Sequence, residues 1–289
     1  MTALMFRALG LAAPVVGRWP GPFYWIATAL AALVWHARPD LRRRLLKTQT
    51  IACRGDRSRA RQAGRQALVN VVRYYVDLCT IAQRDMDSFE RRHIEFIGGE
   101  HLHVLDSGRP VVALSAHIGS PELGVQAILG RGRSFVALVE PVRSEAYAAL
   151  LGRLRGGAGG RYMEASPAGI RTCLETLRAG GIVALVGDRD IQGHGACTTL
   201  LGRKVRLPDG PFELARRTGA IVLPVLTSRG RRDQLTLFVE EPFSVDCDDG
   251  PEAVTKAVQR WAAILERHIA RDPGQWTVTE DFWKVHGCG

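Results

Sequence analysis

The stretch Val111-Val112-Ala113-Leu114-Ser115-Ala116-His117-Ile118-Gly119-Ser120-Pro121-Glu122 decides how this chain is organised. Its first six residues form an apolar run after a turn-like segment, which predicts a buried strand over 111–116. Ser120 is typical of a helix N-cap, and Pro121 suits the first helical position because its missing N–H has no helical partner there. The stretch therefore predicts a strand, a short loop and a helix, with His117 at the carboxyl end of the strand.

His117 and Glu122 have the residue types of a general base and its orienting carboxylate. Histidine can accept a proton near neutral pH, and a carboxylate on its other ring nitrogen fixes the tautomer. Positions five apart on one helix point about 140° apart, so the pair can meet only if His117 lies in the loop and Glu122 points back from the helix start. The alternative is a histidine at a strand end beside an unrelated glutamate, and the spacing alone favours this alternative.

The composition predicts one folding unit. The chain has 289 residues, of which 46% are hydrophobic, and no Pro-, Gly- or Ser-rich linker divides it. We expect residues 1–80 to form a basic, interfacial helical extension packed on a core of residues 81–289. The six cysteines have no C-x-x-C spacing and no cleavable signal pattern precedes them, so we expect reduced thiols and no contribution from disulfides.

The basic charge is concentrated in one block. Ten basic and two acidic residues lie between Arg38 and Arg65, although the net charge of the whole chain is only +10. The apolar segment Phe23–Trp35 precedes this block and is shorter than the roughly 20 residues that span a bilayer. Its terminal tryptophans and the following arginines are typical of a segment in the interface of an anionic leaflet.

Three alternatives to this interfacial segment stay open. The arginine block could be a solvated helix face or could bind nucleic acid, but no nucleic-acid-binding motif accompanies it, so we expect no nucleic-acid partner. Counting back to Ala8 lengthens the apolar region toward a single span, which Pro14, Pro20 and Pro22 interrupt.

Strands and helices alternate after the first 80 residues, which predicts an α/β fold with a mainly parallel central sheet flanked by helices. Sites in such sheets form at the carboxyl ends of strands. Both His117 and Asp188-Arg189-Asp190 have this position. The predicted strands are 111–116, 135–139, 182–186, 221–226 and 234–239, and the predicted helices are 60–81, 121–129, 144–154, 167–179, 208–218 and 251–270.

Further charged residues are candidates for substrate binding. Arg189 could pair with a phosphate-like head group. Asp188 or Asp190 could orient either this arginine or His117. The alternative is that all three residues belong to a solvated turn. The segment 156–160 is rich in glycine and predicts a mobile lid. Its flanking residues Arg155 and Arg161 are candidates for an anionic contact or are ordinary surface arginines.

Other common chemistries have little support. Glu100-His101-Leu102-His103 would place two histidines on one side of a strand-like piece, but a third ligand cluster is lacking, so we expect no metal. The sequence has no G-x-S-x-G elbow, P-loop or Rossmann fingerprint. The sequence therefore does not support the commonest types of serine hydrolase, kinase or dehydrogenase.

Taken together, several motifs resemble the bacterial lipid A biosynthesis acyltransferase family, including its phosphatidylinositol mannoside acyltransferase branch, within the wider lysophospholipid acyltransferases. The Asp-Arg-Asp form and the Gly-Pro-Phe-Glu-Leu-Ala-Arg-Arg-Thr-Gly-Ala segment look closer to the mannoside branch, whereas Glu122 stands where mycobacterial members carry aspartate. The matching segments are the H-x4-E motif of His117 to Glu122, Gly187-Asp188-Arg189-Asp190, Leu200 to Gly202, Leu207 to Pro211, Ala215 to Val225, and Asp272-Pro273-Gly274-Gln275-Trp276, in which Gly274 replaces the usual glutamate.

The resemblance implies acyl transfer from a thioester, on acyl-CoA or acyl carrier protein and without a further cofactor, to a hydroxyl of a membrane glycolipid or phospholipid. It implies that His117 deprotonates the acceptor while Glu122 holds the imidazole. Backbone N–H groups near the helix start at Pro121, or an arginine such as Arg161, would stabilise the oxyanion. An apolar groove for the acyl chain is expected between the sheet and the N-terminal helices, facing the cytoplasmic side of the bacterial inner membrane.

The acceptor and the reaction class leave alternatives. A phosphatidylinositol mannoside-type acceptor is our first expectation, and a lipid A-type acceptor is the second. A thioesterase using the same base on water, or a non-catalytic lipid-binding protein on this fold, would also fit the fold alone.

Overall fold

The computed structural model describes residues 3–81, 83–129, 133–141, 144–155, 160–230, 234–247 and 250–288, with side chains from residue 10 onward. Its helices are α1 Ala3–Arg18, α2 Pro20–Ala37, α3 Pro39–Ala52, α4 Arg57–Ile81, α5 Met86–His93, α6 Pro121–Leu129, α7 Glu145–Arg155, α8 Pro167–Arg178, α9 Gly210–Thr218, α10 Gly250–Arg271 and α11 Phe282–Val285. Its strands are β1 Ile94–Ile97, β2 Val111–Ser115, β3 Phe135–Val139, β4 Gly160–Glu164, β5 Ile182–Val186, β6 Ala196–Leu200, β7 Arg203–Leu207, β8 Ile221–Arg229, β9 Leu235–Val239 and β10 Phe243–Ser244.

The predicted α/β fold with a mainly parallel sheet is confirmed. The strand order is β1-β9-β8-β2-β5-β3-β4, with β10 paired to β8. The strands from β8 to β4 are parallel to one another, whereas β9 and β10 each run antiparallel to β8. The strand β2 lies in the middle of this sheet, between β8 and β5, and delivers His117 to the carboxyl edge.

Helices cover both faces of the sheet because both faces of its central strands are apolar. Along β2, Val112 and Leu114 belong to the hydrophobic cluster that contains residues of α8, α9 and α10. Val111 and Ala113 belong to the cluster on the other face, which contains residues of α1, α2, α4, α6 and α7. All five side chains of β2 are buried as a result.

The N-terminal helix α2 has one buried and one exposed apolar face. Tyr24, Ala27, Ala31 and Trp35 recur at helical spacing and are buried. The opposite face exposes large apolar side chains, namely Trp25, Ile26, Leu30 and Leu33. No helix within the described ranges is long and apolar enough to cross a membrane. The predicted boundary between residues 80 and 81 stays a prediction.

Two local expectations are wrong. The segment 100–103 belongs to a 3₁₀ helix, Gly99–Asp106, rather than to a strand-like piece. Cys197 and Cys288 form a disulfide, with their Cα atoms 6.3 Å apart, although we expected reduced thiols. The chain end pairs with β7 through Val205 and Gly287, which brings together two cysteines 91 residues apart. Their spacing in the sequence carries no sign of this pairing.

Candidate active site

His117 and Asp188 form a hydrogen-bonded pair at the carboxyl edge of the sheet. The imidazole Nδ1 lies 2.8 Å from Asp188 Oδ1, and the backbone N–H of His117 donates to the same oxygen at 3.1 Å. Trp276 Nε1 donates to the other carboxylate oxygen at 2.9 Å. The Asp188 side chain is fully buried, whereas 36% of the His117 side chain is exposed. The carboxylate of Asp188 is therefore shielded from solvent, whereas the imidazole of His117 is accessible to it.

The sheet brings these two residues together because they follow adjacent parallel strands. Ser115 at the end of β2 is in register with Val186 at the end of β5, so the residues just beyond them leave the sheet side by side. The backbone N–H of Gly187 donates to the carbonyl of Ser115 at 2.8 Å and extends the pairing by one step. Trp261 Nε1 donates to the carbonyl of Gly187 at 2.8 Å and holds the start of the second loop.

Asp188 remains a carboxylate despite its burial, and this sets the tautomer of His117. Burial alone would raise the pKa of Asp188, but the charge and hydrogen bonds of His117 and the hydrogen bond from Trp276 lower it to about 2. A carboxylate only accepts hydrogen bonds, so the Nδ1 of His117 must carry the hydrogen. In a neutral imidazole the Nε2 lone pair is then available to accept a proton. This nitrogen has no hydrogen-bond partner among the described residues.

The turn that follows His117 is held rigidly. Its carbonyl accepts hydrogen bonds from the backbone N–H and the hydroxyl of Thr277, at 2.8 and 2.9 Å. Gly119 has a φ of 66°, and a Cβ there would lie 2.5 Å from the carbonyl oxygen of Thr227. Only glycine fits this conformation and this approach without a shift of the backbone. The imidazole is therefore presented from a fixed backbone.

Glu122 does not orient the imidazole. Its carboxylate is bound by Arg155, from Nε at 2.7 Å and from Nη2 at 3.0 Å, and by the hydroxyl of Tyr74 at 3.1 Å. The expected contact with His117 is therefore wrong, because α6 directs Glu122 toward α7 and α4 while β5 supplies the carboxylate that reaches Nδ1. The catalytic role that we expected for Glu122 stays a prediction.

Glu122 and Arg155 form a buried ion pair that lines the same groove as His117. The two side chains are each 11% exposed, and the guanidinium of Arg155 lies 4.7 Å from the ring centre of Tyr162. Burial would lower the pKa of Arg155, but Glu122 and Tyr74 raise it overall. Arg155 is thus a permanently charged residue inside the protein, and the expected alternative of an ordinary surface arginine is wrong.

The groove has a volume of about 710 Å³, and His117 and Arg189 both line it. We expected the two residues to share a groove, and they do. Most of the other lining side chains are apolar or aromatic; they include Val125, Leu138, Val139, Tyr147, Leu151, Leu185, Val186 and Val278. This lining offers an apolar chain a path from the imidazole toward Arg155.

The remaining predicted residues lie in different places. Arg189 is held by Glu280, from Nε at 2.7 Å and from Nη2 at 3.1 Å. Asp190 accepts the backbone N–H groups of Gly193 and Gly195 and closes its own turn. Arg161 is exposed on the edge strand β4 and is not among the lining residues described for the groove. Residues 156–159 of the predicted lid lie outside the described residues.

Three backbone N–H groups before the helix start at Pro121 are already used, and the expected oxyanion donors within the first helical turn stay a prediction. The N–H groups of Ile118 and Gly119 donate to the carbonyls of Ala116 and Gln275. The N–H of Ser120 donates to the hydroxyl of Thr227 at 2.7 Å. These three groups before the helix start are therefore not available to a substrate.

The sequence analysis missed Asp77, a buried carboxylate behind the turn. It accepts hydrogen bonds from the hydroxyl of Ser120 at 2.7 Å and from the hydroxyl of Tyr24 at 2.6 Å, and it pairs with Arg229. The predicted cap by Ser120 stays a prediction, since a hydroxyl that donates to Asp77 can still accept a hydrogen bond. An aspartate within the apolar stripe of a helix was the available signal for such a role.

The described residues contain no group of three or more His, Cys, Asp or Glu side chains that could hold a metal ion. The histidines at 101 and 103 are therefore not part of such a group.

Comparisons with known proteins agree on one family. The sequence model of the family described as "Bacterial lipid A biosynthesis acyltransferase" matches residues 19–285. A phosphatidylinositol mannoside acyltransferase of Mycobacterium tuberculosis (strain CDC 1551 / Oshkosh) is 25% identical over 218 residues, which are 73% of this chain and 67% of that protein. One of Mycolicibacterium smegmatis (strain ATCC 700084 / mc(2)155) is 25% identical over 227 residues, which are 76% of this chain and 71% of that protein.

Proposed function

Because the chain belongs to the bacterial lipid A biosynthesis acyltransferase family and is therefore an acyltransferase, we propose that it moves a long-chain fatty acyl group from a thioester donor to a hydroxyl of a glycolipid or phospholipid. The donor is acyl-CoA or an acyl carrier protein. The observation that carries this proposal is the pair of His117 and Asp188 at the mouth of a largely apolar groove.

The reaction uses His117 as the general base. The acceptor hydroxyl gives its proton to Nε2 as its oxygen attacks the thioester carbonyl carbon, so that a C–O bond forms. Asp188 stabilises the imidazolium that results, because its charge lies 2.8 Å from Nδ1. The tetrahedral intermediate then expels the thiolate, the C–S bond breaks, and the proton on Nε2 passes to the sulfur. No acyl-enzyme is needed.

The apolar lining of the groove supports the proposal of a long acyl chain. Its apolar side chains lie beside His117, and burial of each CH₂ group contributes about 0.8 kcal/mol. The pair of Glu122 and Arg155 also lines the groove, and a charged pair there makes further extension of an apolar chain costly. We propose that this pair limits the length of the chain.

We propose that α2 and the basic block that follows it bind the protein to a membrane surface. Trp25 and Leu33 on the exposed face of α2 are 78% and 65% exposed, and the basic block of residues 38–65 follows this helix. An apolar face next to a basic block suits the interface of an anionic leaflet. We assign the protein to the cytoplasmic face of the bacterial inner membrane, as a peripheral protein.

The relatives named for phosphatidylinositol mannosides suggest the acceptor. We propose a mannose hydroxyl of such a glycolipid as the first acceptor to test, and a lipid A-type acceptor as the second. No described feature of the groove distinguishes the two.

Mass spectrometry of lipids from cells with and without the gene tests this function. We expect one lipid class to lose a single acyl chain in the deletion strain and to regain it with the wild-type gene but not with a His117→Ala variant. Recovery by both genes, or an unchanged lipid profile, would contradict the proposal.

A further inference from the structure

A second cavity, with a volume of about 970 Å³, lies between α2, α4 and the segment that follows α10. It shares no described lining residue with the catalytic groove. Four arginines and one aspartate line it, and they come from segments far apart in the sequence. These residues are Arg59, Arg73, Arg229, Arg271 and Asp272.

Most of this positive charge is not neutralised within the part of the protein that the structure describes. Arg229 pairs with Asp77. Arg59 donates to the carbonyl of Ala270 at 2.9 Å, and Arg271 contacts His268 Nδ1 at 2.9 Å. No described carboxylate forms a salt bridge with Arg59 or Arg271. One side-chain hydrogen bond is described for each of them, and the guanidinium of Arg271 also lies 4.0 Å from the ring centre of Phe238.

Arg73 is a third arginine of this cavity for which no salt bridge is described. Its Nη2 donates to the hydroxyl of Thr28 at 3.1 Å, and its guanidinium lies 5.9 Å from the ring centre of Tyr24. Its Nε is buried and has no hydrogen-bond partner among the described residues.

The edge of the cavity is apolar and faces outward. Gly21 and Trp25 of α2 line it, and Trp25 belongs to the exposed apolar face of that helix. On the opposite side, Gly274 contributes no side chain, and a Cβ there would lie 2.9 Å from Cβ and Cγ of Gln66. The cavity thus combines arginines inside with a tryptophan at its opening.

We propose that this cavity binds the phosphate of an anionic phospholipid headgroup, with Trp25 beside the lipid's glycerol and acyl region. Guanidinium groups bind phosphate oxygens through paired, charge-assisted hydrogen bonds, and arginine suits this task better than lysine. The proposal rests on the membrane association proposed above. The bound lipid is a membrane anchor rather than the substrate of the reaction, since His117 faces the other cavity.

Binding to vesicles tests this proposal without reference to activity. The protein carries His117→Ala throughout, and the vesicles are phosphatidylcholine with either phosphatidylglycerol or, at equal surface charge, oleate. The cavity variant is Arg59→Gln/Arg271→Gln. The matched control is Arg57→Gln/Arg61→Gln, which removes the same charge from exposed positions of α4 outside the cavity lining.

We expect the cavity variant to bind phosphatidylglycerol vesicles at least tenfold more weakly than the control, and the two variants to bind oleate vesicles equally. Equal losses on phosphatidylglycerol would show that only surface charge acts and would overturn the proposal. A competition arm uses inorganic phosphate and glycerol phosphate with the parent protein. Saturable binding of inorganic phosphate together with equal vesicle binding of the two variants would assign the cavity to free phosphate instead.

A second variant tests the same cavity while all of its arginines stay in place. Gln62 is exposed, lines the cavity and has almost the size of glutamate. Gln62→Glu adds a carboxylate beside the arginines, and we expect it to weaken binding to phosphatidylglycerol vesicles at least threefold at an unchanged thermal midpoint. Unchanged vesicle binding would contradict the proposal. A failure of these binding tests would leave acyl transfer, measured separately in detergent micelles, unaffected.

Discussion

At the scale of single residues, the central contact joins the imidazole of His117 to the carboxylate of Asp188. Asp188 is fully buried, and His117 and Trp276 hold its pKa at about 2. It is therefore charged at neutral pH. That charge fixes the hydrogen on Nδ1 and stabilises the protonated ring during transfer.

Asp188→Asn is the direct test of this role. The amide keeps the shape of the side chain but removes the charge, so we expect kcat to fall by roughly 10²–10⁴-fold with little change in KM. Steady-state kinetics with a thioester donor measures the effect. Asp106→Asn, at an exposed position of the same residue type, serves as the control, and an equal fall in both variants would contradict the role.

The sequence indicated His117 and gave Glu122 as its first expected partner, which is wrong, whereas the alternative that Asp188 orients His117 is confirmed. His117 and Glu122 are close in the sequence, which made Glu122 the visible choice, whereas Asp188 lies 71 residues further along. The contact depends on β2 and β5 being neighbours in the sheet, and strand order is not encoded in local spacing. The pairing of Arg155 with Glu122 could not be predicted either, because it joins α7 to α6 through the packing of the fold.

At the scale of elements, the turn after β2 is tied to helices far from it in the sequence. Asp77 on α4 accepts hydrogen bonds from Tyr24 on α2 and from Ser120 in the turn, and it pairs with Arg229 at the end of β8. One buried carboxylate thus connects four segments. The turn that presents His117 is fixed in part by the helix that we place at the membrane.

Asp77→Asn removes the charge that compensates Arg229. A buried ion pair that loses one partner costs roughly 3–5 kcal/mol, and the Arg229 side chain is only 9% exposed. We expect a fall of this size in the free energy of unfolding, measured by urea denaturation. Tyr24→Phe, which removes one hydrogen bond to the same carboxylate, should cost less, and a larger loss in Tyr24→Phe would contradict this ranking.

Elements with strong local signals were predictable. The bounds of β3, β5 and α6 agree with the prediction, because Pro and Gly punctuate short apolar runs there. The hairpin of β6 and β7 was missed, since its alternating polar residues carry a weak pattern. The edge strands β1 and β4 were missed because they are short and only half-buried.

At the scale of the whole molecule, two carboxylates join distant parts of the chain. Asp188 connects the loop after β5 to His117 and Trp276. Glu280, near the C-terminus, binds Arg189 and His286. Burial would raise the pKa of Glu280, but hydrogen bonds from His286 and Arg189 and their charges lower it to about 2.

Stability should therefore fall at acidic pH. Both pKa values are lower in the folded protein, so both groups stabilise it above their ordinary pKa values, and this contribution is lost as the pH falls toward 2. Between pH 7 and pH 3, Glu280 alone should account for about 2 kcal/mol. Urea denaturation at both pH values should show a smaller pH dependence in Glu280→Gln by this amount, and an unchanged dependence would contradict the assignment.

The central claim is that His117 is the base of an acyl transfer reaction in the groove. The most direct measurement is the rate of transfer of a radiolabelled acyl group from a thioester to the glycolipid identified by mass spectrometry, for wild type and His117→Ala. We predict at least a 10³-fold lower kcat in the variant, in a protein that still folds and binds vesicles as the wild type does. A His117→Ala protein that transfers the acyl group at a near-normal rate would contradict the claim.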